Sequence, residues 1–578
     1  MLKRSALLTL VFLLAGVSIN LTAGTLAIEI EGVTKEQEQN IRNFLSLQKL
    51  EGHEITNRSR LRYLHKAADK EIRTALQPFG LYRPKVLLSL LQDGQDWIAK
   101  YEIVPGDAIP IMKLDLKIVG EARDDTAFLQ LLNNPRLRLG ADLLHSDYEH
   151  QKQLLLSLAA ERGYYKATFI QHLVEVDLTL YQASIVLHMD SGPRFVVGEV
   201  IFAPSVLAND FLMRYVPFES GDPIQNSKLI ALQSSLIDGD YFQQVEVQPL
   251  WDQADDATVP IFVDLDAKKR TRYQAGLGYG TNTGARTRLG VTWRWLNPQG
   301  HKLNSQIMAS EALSEWSAEY AIPGTKPQED LYTGTVGVRD ENSDSVNALR
   351  HTLGIASRQQ VGRWQRILAL NYQQETFTFS TTEQDSEFLI PQISFNTVSA
   401  TDHLNVKNGY RLSLQLLGAN QALLADESFI QARVSGKAVY SINDKLRVLG
   451  RVEGGITFID NFNALPATQR FYAGGDNSVR GYDFQSLGLQ DQSGAVIGGP
   501  QLVVGSVELD YRLTKNWGIA AFIDSGNAFE DTELDLHTGI GAGVRWFSPI
   551  GPVRIDLAWP QDGDDRGAHL HFSLGADL

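Results

Sequence analysis

Ser506-Val507-Glu508-Leu509-Asp510-Tyr511-Arg512-Leu513 alternates at every position: Val507, Leu509, Tyr511 and Leu513 share one face, and Ser506, Glu508, Asp510 and Arg512 share the other. Period two with one apolar face marks a strand whose two sides meet different media. The same pattern recurs upstream. Leu289, Val291, Trp293 and Trp295 oppose Arg288, Thr292 and Arg294, while Leu412, Leu414 and Leu416 oppose Arg411, Ser413 and Gln415. From about Lys268 to the C-terminus there is almost no helical periodicity. A soluble sandwich and a membrane barrel both satisfy such alternation. Strands of about ten residues, tight turns (Asn297-Pro298-Gln299-Gly300, Lys407-Asn408-Gly409) and an export signal select the barrel. At roughly 19 residues per strand and connection, 268–578 is expected to form a 16-stranded transmembrane β-barrel.

The export signal is the first 23 residues. Lys3 and Arg4 precede an apolar run, Ala6 to Val17, interrupted only by Thr9, and Leu21-Thr22-Ala23 fits a cleavage site. The apolar run is too short to span a bilayer as a helix.

Between signal and barrel lie three repeats. Gly80-Leu81-Tyr82, Gly163-Tyr164-Tyr165 and Gly239-Asp240-Tyr241-Phe242 recur about every 80 residues, which marks a repeated unit. Each follows a helical pattern (Leu61 to Leu76, Tyr148 to Ala160, Lys228 to Ile237) and precedes a strand ending near Ile103, Met189 or Leu265. An opening strand begins each: Leu26 to Ile30, Leu114 to Val119, Val196 to Ile201. The expected unit is strand, two helices, strand, strand, over 24–106, 107–191 and 192–267, an α+β section ahead of an all-β one. A small sheet of this kind leaves a strand edge whose free N–H and C=O groups template an incoming strand.

Composition excludes other classes. The 578 residues carry 53 Lys and Arg against 68 Asp and Glu, a net charge of −15, opposite to what a nucleic-acid binder needs. With no cysteine there are no disulfides, thiolate metal sites or cysteine nucleophiles. Asp524-Ser525-Gly526 resembles a protease nucleophile segment, but Ile523 replaces the expected glycine and no histidine partner motif accompanies it. His569 and His571 share a strand face without a third ligand, and no P-loop or His-Glu-x-x-His helix occurs. No enzymatic activity, metal or cofactor is expected.

The barrel must close where its ends meet. On the last strand Leu570, Phe572, Leu574, Ala576 and Leu578 point one way, and His569, His571, Ser573, Gly575 and Asp577 the other. On the first, Tyr273, Ala275, Leu277 and Tyr279 are expected to face lipid, and Gly276, Gly278 and Gly280 the lumen. Either these glycines weaken the seam, or they make room inside the barrel.

A polar loop, Gly474-Gly475-Asp476-Asn477-Ser478-Val479-Arg480-Gly481-Tyr482, holds a single cation. Parity places Phe522, Asp524 and Gly526 of one strand, and Gly541, Gly543 and Arg545 of the next, on the lumen side. A loop folded inward would set Arg480 against Asp524, with Gly541 and Gly543 leaving space.

Val479-Arg480-Gly481-Tyr482, the Phe522-x-Asp524-x-Gly526 run and the Gly541 to Pro552 run resemble the marker motifs of the outer-membrane assembly and two-partner-secretion superfamily. The three repeats resemble POTRA domains, and three of them ahead of a barrel resemble the TamA family in particular. The terminal Leu578 departs from the aromatic common in barrels. This resemblance implies an outer-membrane location, periplasmic repeats, and insertion or secretion of unfolded outer-membrane clients such as autotransporters. It further implies an inner-membrane-anchored TamB partner and contact with outer-membrane lipids. A port for phospholipid transport by that partner and a pore for a soluble passenger remain alternatives.

Overall fold

The computed structural model describes residues 24–282, 284–343, 345–379, 382–400, 406–530, 535–548, 551–562 and 567–574. The signal expected over 1–23 and the terminal Gly575 to Leu578 lie outside them, as do Pro549 and Ile550 of the last motif run.

The repeats follow the expected order. The first comprises β1 (Leu26–Glu31), α1 (Lys35–Phe44), α2 (Arg58–Leu76), β2 (Lys85–Asp93) and β3 (Asp96–Val104), in a sheet ordered β1-β3-β2. Helix α1 starts where Thr34 and Gln37 exchange side-chain-to-backbone bonds, satisfying two N–H groups that no helical carbonyl reaches. Leu26 and Ile28, Ile41, Leu61 with Ile72, and Ala99 with Tyr101 form the core, and Val86, Leu88 and Leu90 of β2 pack against it. The second repeat has β4 (Ile111–Val119), α3 (Thr126–Asn133), α4 (His145–Glu161), β5 (Thr168–Asp177) and β6 (Gln182–Asp190), ordered β4-β6-β5. The third has β7 (Val196–Phe202), α5 (Asn209–Leu212), α6 (Asn226–Asp238), β8 (Phe242–Pro249) and β9 (Thr258–Ala267), ordered β7-β9-β8.

The chain forms two compact units. One holds the described residues up to 199 with 219–229 and 250–260; the other holds 200–218, 230–249 and everything from 261. Within the first unit, Tyr82 Oη lies 2.9 Å from Nε2 of His145, which opens α4, and Tyr165 Oη donates to Oδ1 of Asn226, which opens α6. Within the second, Tyr241 Oη donates to the Gly300 carbonyl at 2.5 Å. The tyrosine two residues after each repeat's glycine thus does one job three times, bonding a backbone or side-chain group of the module that follows. Beside the third of them, Asp240 accepts from Lys268 at 2.5 Å and Arg294 at 3.1 Å and lies 3.6 Å from Arg272. Burial alone raises the Asp240 carboxyl; Lys268 and Arg294 outweigh it and hold the group below the ordinary carboxylate range.

The second unit is dominated by one 16-stranded sheet. Its early strands are β10 (Thr271–Gly280), β11 (Gly284–Trp293), β12 (Lys302–Ser310), β13 (Leu313–Pro323) and β14 (Asp330–Asn342). Next come β15 (Asn347–Val361), β16 (Trp364–Phe379), β17 (Thr382–Ala400), β18 (Gly409–Ala419), β19 (Phe429–Ser441) and β20 (Leu446–Ile459). After two short loop strands, β21 (Leu489–Gln490) and β22 (Val496–Gly498), it resumes with β23 (Gln501–Arg512), β24 (Trp517–Phe529) and β25 (His537–Ser548). It ends with β26 (Gly551–Pro560) and β27 (His569–Leu574). All neighbours pair antiparallel, in sequence order apart from the two loop strands.

Alternation decides which face points where. Val507, Leu509 and Tyr511 are 51%, 48% and 43% exposed on the outer wall, whereas Glu508 and Asp510 are buried inside. The ten-residue expectation fails opposite the seam. Strands β15, β16 and β17 have 15, 16 and 19 residues, more than the 9–11 or so that cross a bilayer, so they project beyond it.

Candidate functional site

The connection 460–500 between β20 and β23 folds into the lumen. Its near end is tied to the long-strand wall, where Thr468 N–H donates to Glu375 Oε1 at 3.1 Å and Gln469 Nε2 to Gln373 at 3.0 Å. Val479 is fully buried among Phe471, Leu487, Leu502 and Val504, an apolar knot that seats the turn before the arginine.

Arg480 then meets the opposite wall. Its Nε and Nη2 donate to Asp524 Oδ2 and Oδ1 at 2.6 and 3.0 Å, a two-pronged pair, and its backbone N–H adds a third bond to Oδ2 at 3.1 Å. Its Nη1 donates to Glu508 at 2.7 Å and Asp556 at 2.9 Å. The guanidinium carbon lies 3.3 Å from the Phe522 ring centroid, on the electron-rich face. Arg545 extends the cluster, donating to Glu508 Oε1 through Nη2 at 2.7 Å and to Asp556 Oδ1 through Nη1. Arg447 continues it, with two bonds of 2.9 and 2.7 Å to Asp510 Oδ2. Arg451 donates to the Ser478 carbonyl, so four guanidiniums stand among four carboxylates. A buried cluster of mixed charge is weak evidence for stability, but breaking one member strands the others.

Two sequence features make the cluster possible. Gly481 has φ +98°, a left-handed conformation that suits glycine, and its N–H donates to His571 Nε2 at 2.9 Å. A Cβ at Gly543 would lie 1.8 Å from Asp556 Oδ1, and one at Gly541 2.2 Å from Phe522 Cζ, so both positions are vacated for the clasp. Tyr482 Oη donates to the Thr538 and Asp562 carbonyls at 3.3 and 3.2 Å. Gly526 lies on the inner face as parity places it, and the space its side chain would fill is taken by Val503 and Val504 of β23. The expected pairing of Arg480 with Asp524 is present; Glu508, Asp510, Asp556 and Arg447 are polar residues of alternating strands that nothing in the sequence singles out.

The seam differs. Among the described residues no β-ladder joins β10 to β27. Contact is confined to one end: Tyr279 and Phe572 rings stand 6.3 Å apart, and Phe572 N–H donates to Thr281 Oγ1 at 3.2 Å. Of the expected seam residues Tyr273, Ala275, Gly276, Leu277, Gly278, Leu570, Phe572 and Leu574, Phe572 meets the far end of β10, and the chain that follows Leu574 lies outside the described residues. Tyr273 and Leu277 are 80% and 86% exposed, and every residue from Arg272 to Leu277 is exposed on both faces.

The loop also spans this gap, which sequence reasoning missed. Asp476 Oδ1 accepts from Thr281 Oγ1 on one rim at 2.7 Å and lies 2.7 Å from His571 Nδ1 on the other. Because Gly481 N–H donates to Nε2 of that imidazole, the Nδ1 proton is the one given to Asp476. The Asp476 N–H donates to the Asn282 amide oxygen and the Asn282 NH2 donates to Asp476 Oδ1, both at 3.2 Å.

Residues 264–578 match the Omp85 superfamily domain, and residues 27–105 match the POTRA domain described as TamA domain 1. The outer membrane protein assembly factor BamA of Nitratidesulfovibrio vulgaris is 22% identical over 393 residues, 64% of this chain and 49% of that protein. The chloroplastic outer envelope protein 80 of Arabidopsis thaliana is 31% identical over 156 residues, 25% of this chain and 19% of that protein. The chain thus spans about half or less of the curated relatives it matches. The crystal structure of Haemophilus ducreyi BamA lacking POTRA domains 1–3 superposes with a TM-score of 0.69 at 17% identity, covering 81% of this chain and 99% of that one, a likeness of fold. The chain belongs to the Omp85 superfamily and is an outer-membrane β-barrel protein whose N-terminal repeats lie in the periplasm.

Proposed function

We propose that this protein is an outer-membrane assembly factor of the TamA type, which inserts or secretes β-barrel clients such as autotransporters with an inner-membrane-anchored TamB-like partner. The observation that carries the reading is the exposed edge of β10, a strand with apolar residues on its lipid side that no described strand pairs on the side away from β11. Such an edge accepts an incoming strand by main-chain pairing. The match of 27–105 to TamA domain 1 supports the subfamily, and the edge strands β2, β5 and β8 suit a relay of client segments through the periplasm. The activity needs no catalytic residue, since assembly is an exchange of strand partners.

The test uses the absence of native cysteine. Tyr279→Cys with Phe572→Cys, bridged by a short thiol crosslinker, is expected to abolish client assembly in cells, with recovery when a cleavable linker is cut. Assembly at wild-type level through a locked seam contradicts the reading.

A further inference from the structure

The inner side of the seam strand carries a feature that strand pairing alone does not use. β10 pairs with β11 so that Gly276 faces Arg288 and Gly278 faces Arg286. Both arginines are exposed to the lumen, and neither meets a carboxylate among the described residues; Arg288 reaches only the Met308 sulfur, at 3.7 Å. Elsewhere on the lumen wall, Arg358 meets Glu319 at 2.6 Å and Arg339 meets Glu341 at 2.9 Å.

The glycines direct these two side chains. A Cβ at Gly278 would lie 2.8 Å from Arg286 Nε and 3.2 Å from its Cγ, so Arg286 already lies across the glycine towards the open edge. Nothing lies within 4 Å of the corresponding point at Gly276. Beneath it, a cavity of ≈ 460 Å³ is bordered by Arg272, Arg288, Arg294 and Lys302, with Asp240 as its carboxylate. The glycines make room.

A strand added to β10 would stand about 9.5 Å from β11, two strand spacings away. Its lumen-facing side chains, at alternate positions, would look across bare glycine at Arg286 and Arg288. An arginine and a glutamate together bridge such a gap; with any side chain on the intervening strand they would be blocked. Resting on the assembly reading above, we infer that Arg286 and Arg288 form a selectivity ladder that favours client β-strands bearing carboxylates at two successive lumen-facing positions. The occupant is thus an amphipathic strand of an unfolded outer-membrane protein, apolar outward and acidic inward.

The test takes the full chain in nanodiscs with Ala275→Cys as its sole thiol. The probes are ten-residue peptides with one cysteine on a common apolar face and Glu, Ser or Lys at the alternate positions, captured as a disulfide under mild oxidation. Capture of the Glu peptide should exceed that of the Ser peptide roughly three- to ten-fold, the size expected of two exposed ion pairs, and fall with salt. The Lys peptide should be captured least. Arg286→Gln with Arg288→Gln should bring the Glu-to-Ser ratio to about one without changing Ser capture, and Arg288→Glu should favour Lys. Heat-modifiable gel migration checks that each variant is folded. Equal capture of Glu and Lys peptides, or a preference that survives both glutamines, overturns the ladder alone. Failure to capture any peptide overturns the docking reading with it. A preference seen in phosphatidylcholine but absent in phosphatidylglycerol nanodiscs, with Ser capture unchanged, would give the arginines to lipid phosphates instead.

Discussion

Strands β24 and β10 belong to one sheet and have similar lengths, yet they are held in opposite ways. Along β24, exposed and buried residues alternate from Trp517 to Asp524, and its inner carboxylate is gripped by three bonds from a loop that crosses the lumen. Along β10, Arg272 to Leu277 have neither face covered, and among the described residues the strand is fastened on its seam side near its ends, by Asp240 at the base and Asp476 at the rim. The difference teaches where the molecule can yield. The loop and the wall of β23 to β26 are fixed by buried charges that cannot part singly, while the seam hangs on a few polar contacts that can.

The sharpest way to break that contrast is to release the clasp. Arg480→Ala leaves Asp524, Glu508 and Asp556 short of a cation in a buried site and should cost about 3–5 kcal/mol. The barrel's thermal transition should fall, and limited proteolysis should cut within 474–482, while membrane insertion persists because the outer wall is untouched. Arg480→Lys, which keeps charge but loses the fork, should cost less. Crowding the clasp comes next. Gly543→Val puts carbon where Asp556 and Arg545 meet and should cost about 1–3 kcal/mol, read as the same transition.

The seam's fastenings should give smaller effects. Asp476→Asn removes the carboxylate that joins Thr281 to His571 and should cost about 1 kcal/mol in stability, yet it should speed crosslinking of a probe at Ala275. Asp240→Asn, at a partly exposed site, should cost less than about 1 kcal/mol. Since the folded Asp240 carboxyl is held below its usual range, its contribution is present above about pH 4 and lost as pH falls through the lower folded value. A stability difference between wild type and Asp240→Asn that does not shrink as the pH is lowered below about 4 would contradict that assignment.

Much of this was legible because parity is a strong constraint. Once Val507 and Leu509 face lipid, Glu508 and Asp510 must face inward, and the same count put Asp524, Gly543 and Arg545 on the lumen side. A lone arginine between Val479 and Gly481 then had an evident partner. The wider cluster was hidden because nothing local distinguishes Asp556 from any other inward carboxylate; only the fold brings Glu508, Asp524 and Asp556 to one guanidinium. Asp476 and His571 lie 95 positions apart, and their meeting depends on where the loop re-enters. How the two seam strands face each other was not legible for a related reason. Facing residues in a sheet are set by turns and ladders, and β10 and β27 share neither among the described residues. Likewise, the repeated tyrosines marked the repeat, but that Tyr82, Tyr165 and Tyr241 each bond the next module follows only from three dimensions.

The contrast between clasped wall and open seam is tested most directly by hydrogen exchange of the intact protein in nanodiscs, comparing β10 with β24 in one sample. The alternate amides of Arg272–Leu277 that point away from β11 should exchange within seconds to minutes, at least about 100-fold faster than the amides of Ala520–Asp524, which open only with the wall. Arg480→Ala should narrow the ratio by accelerating β24. Equal protection of the two strands in the wild-type protein would mean that the seam is closed by pairing, and would contradict the account.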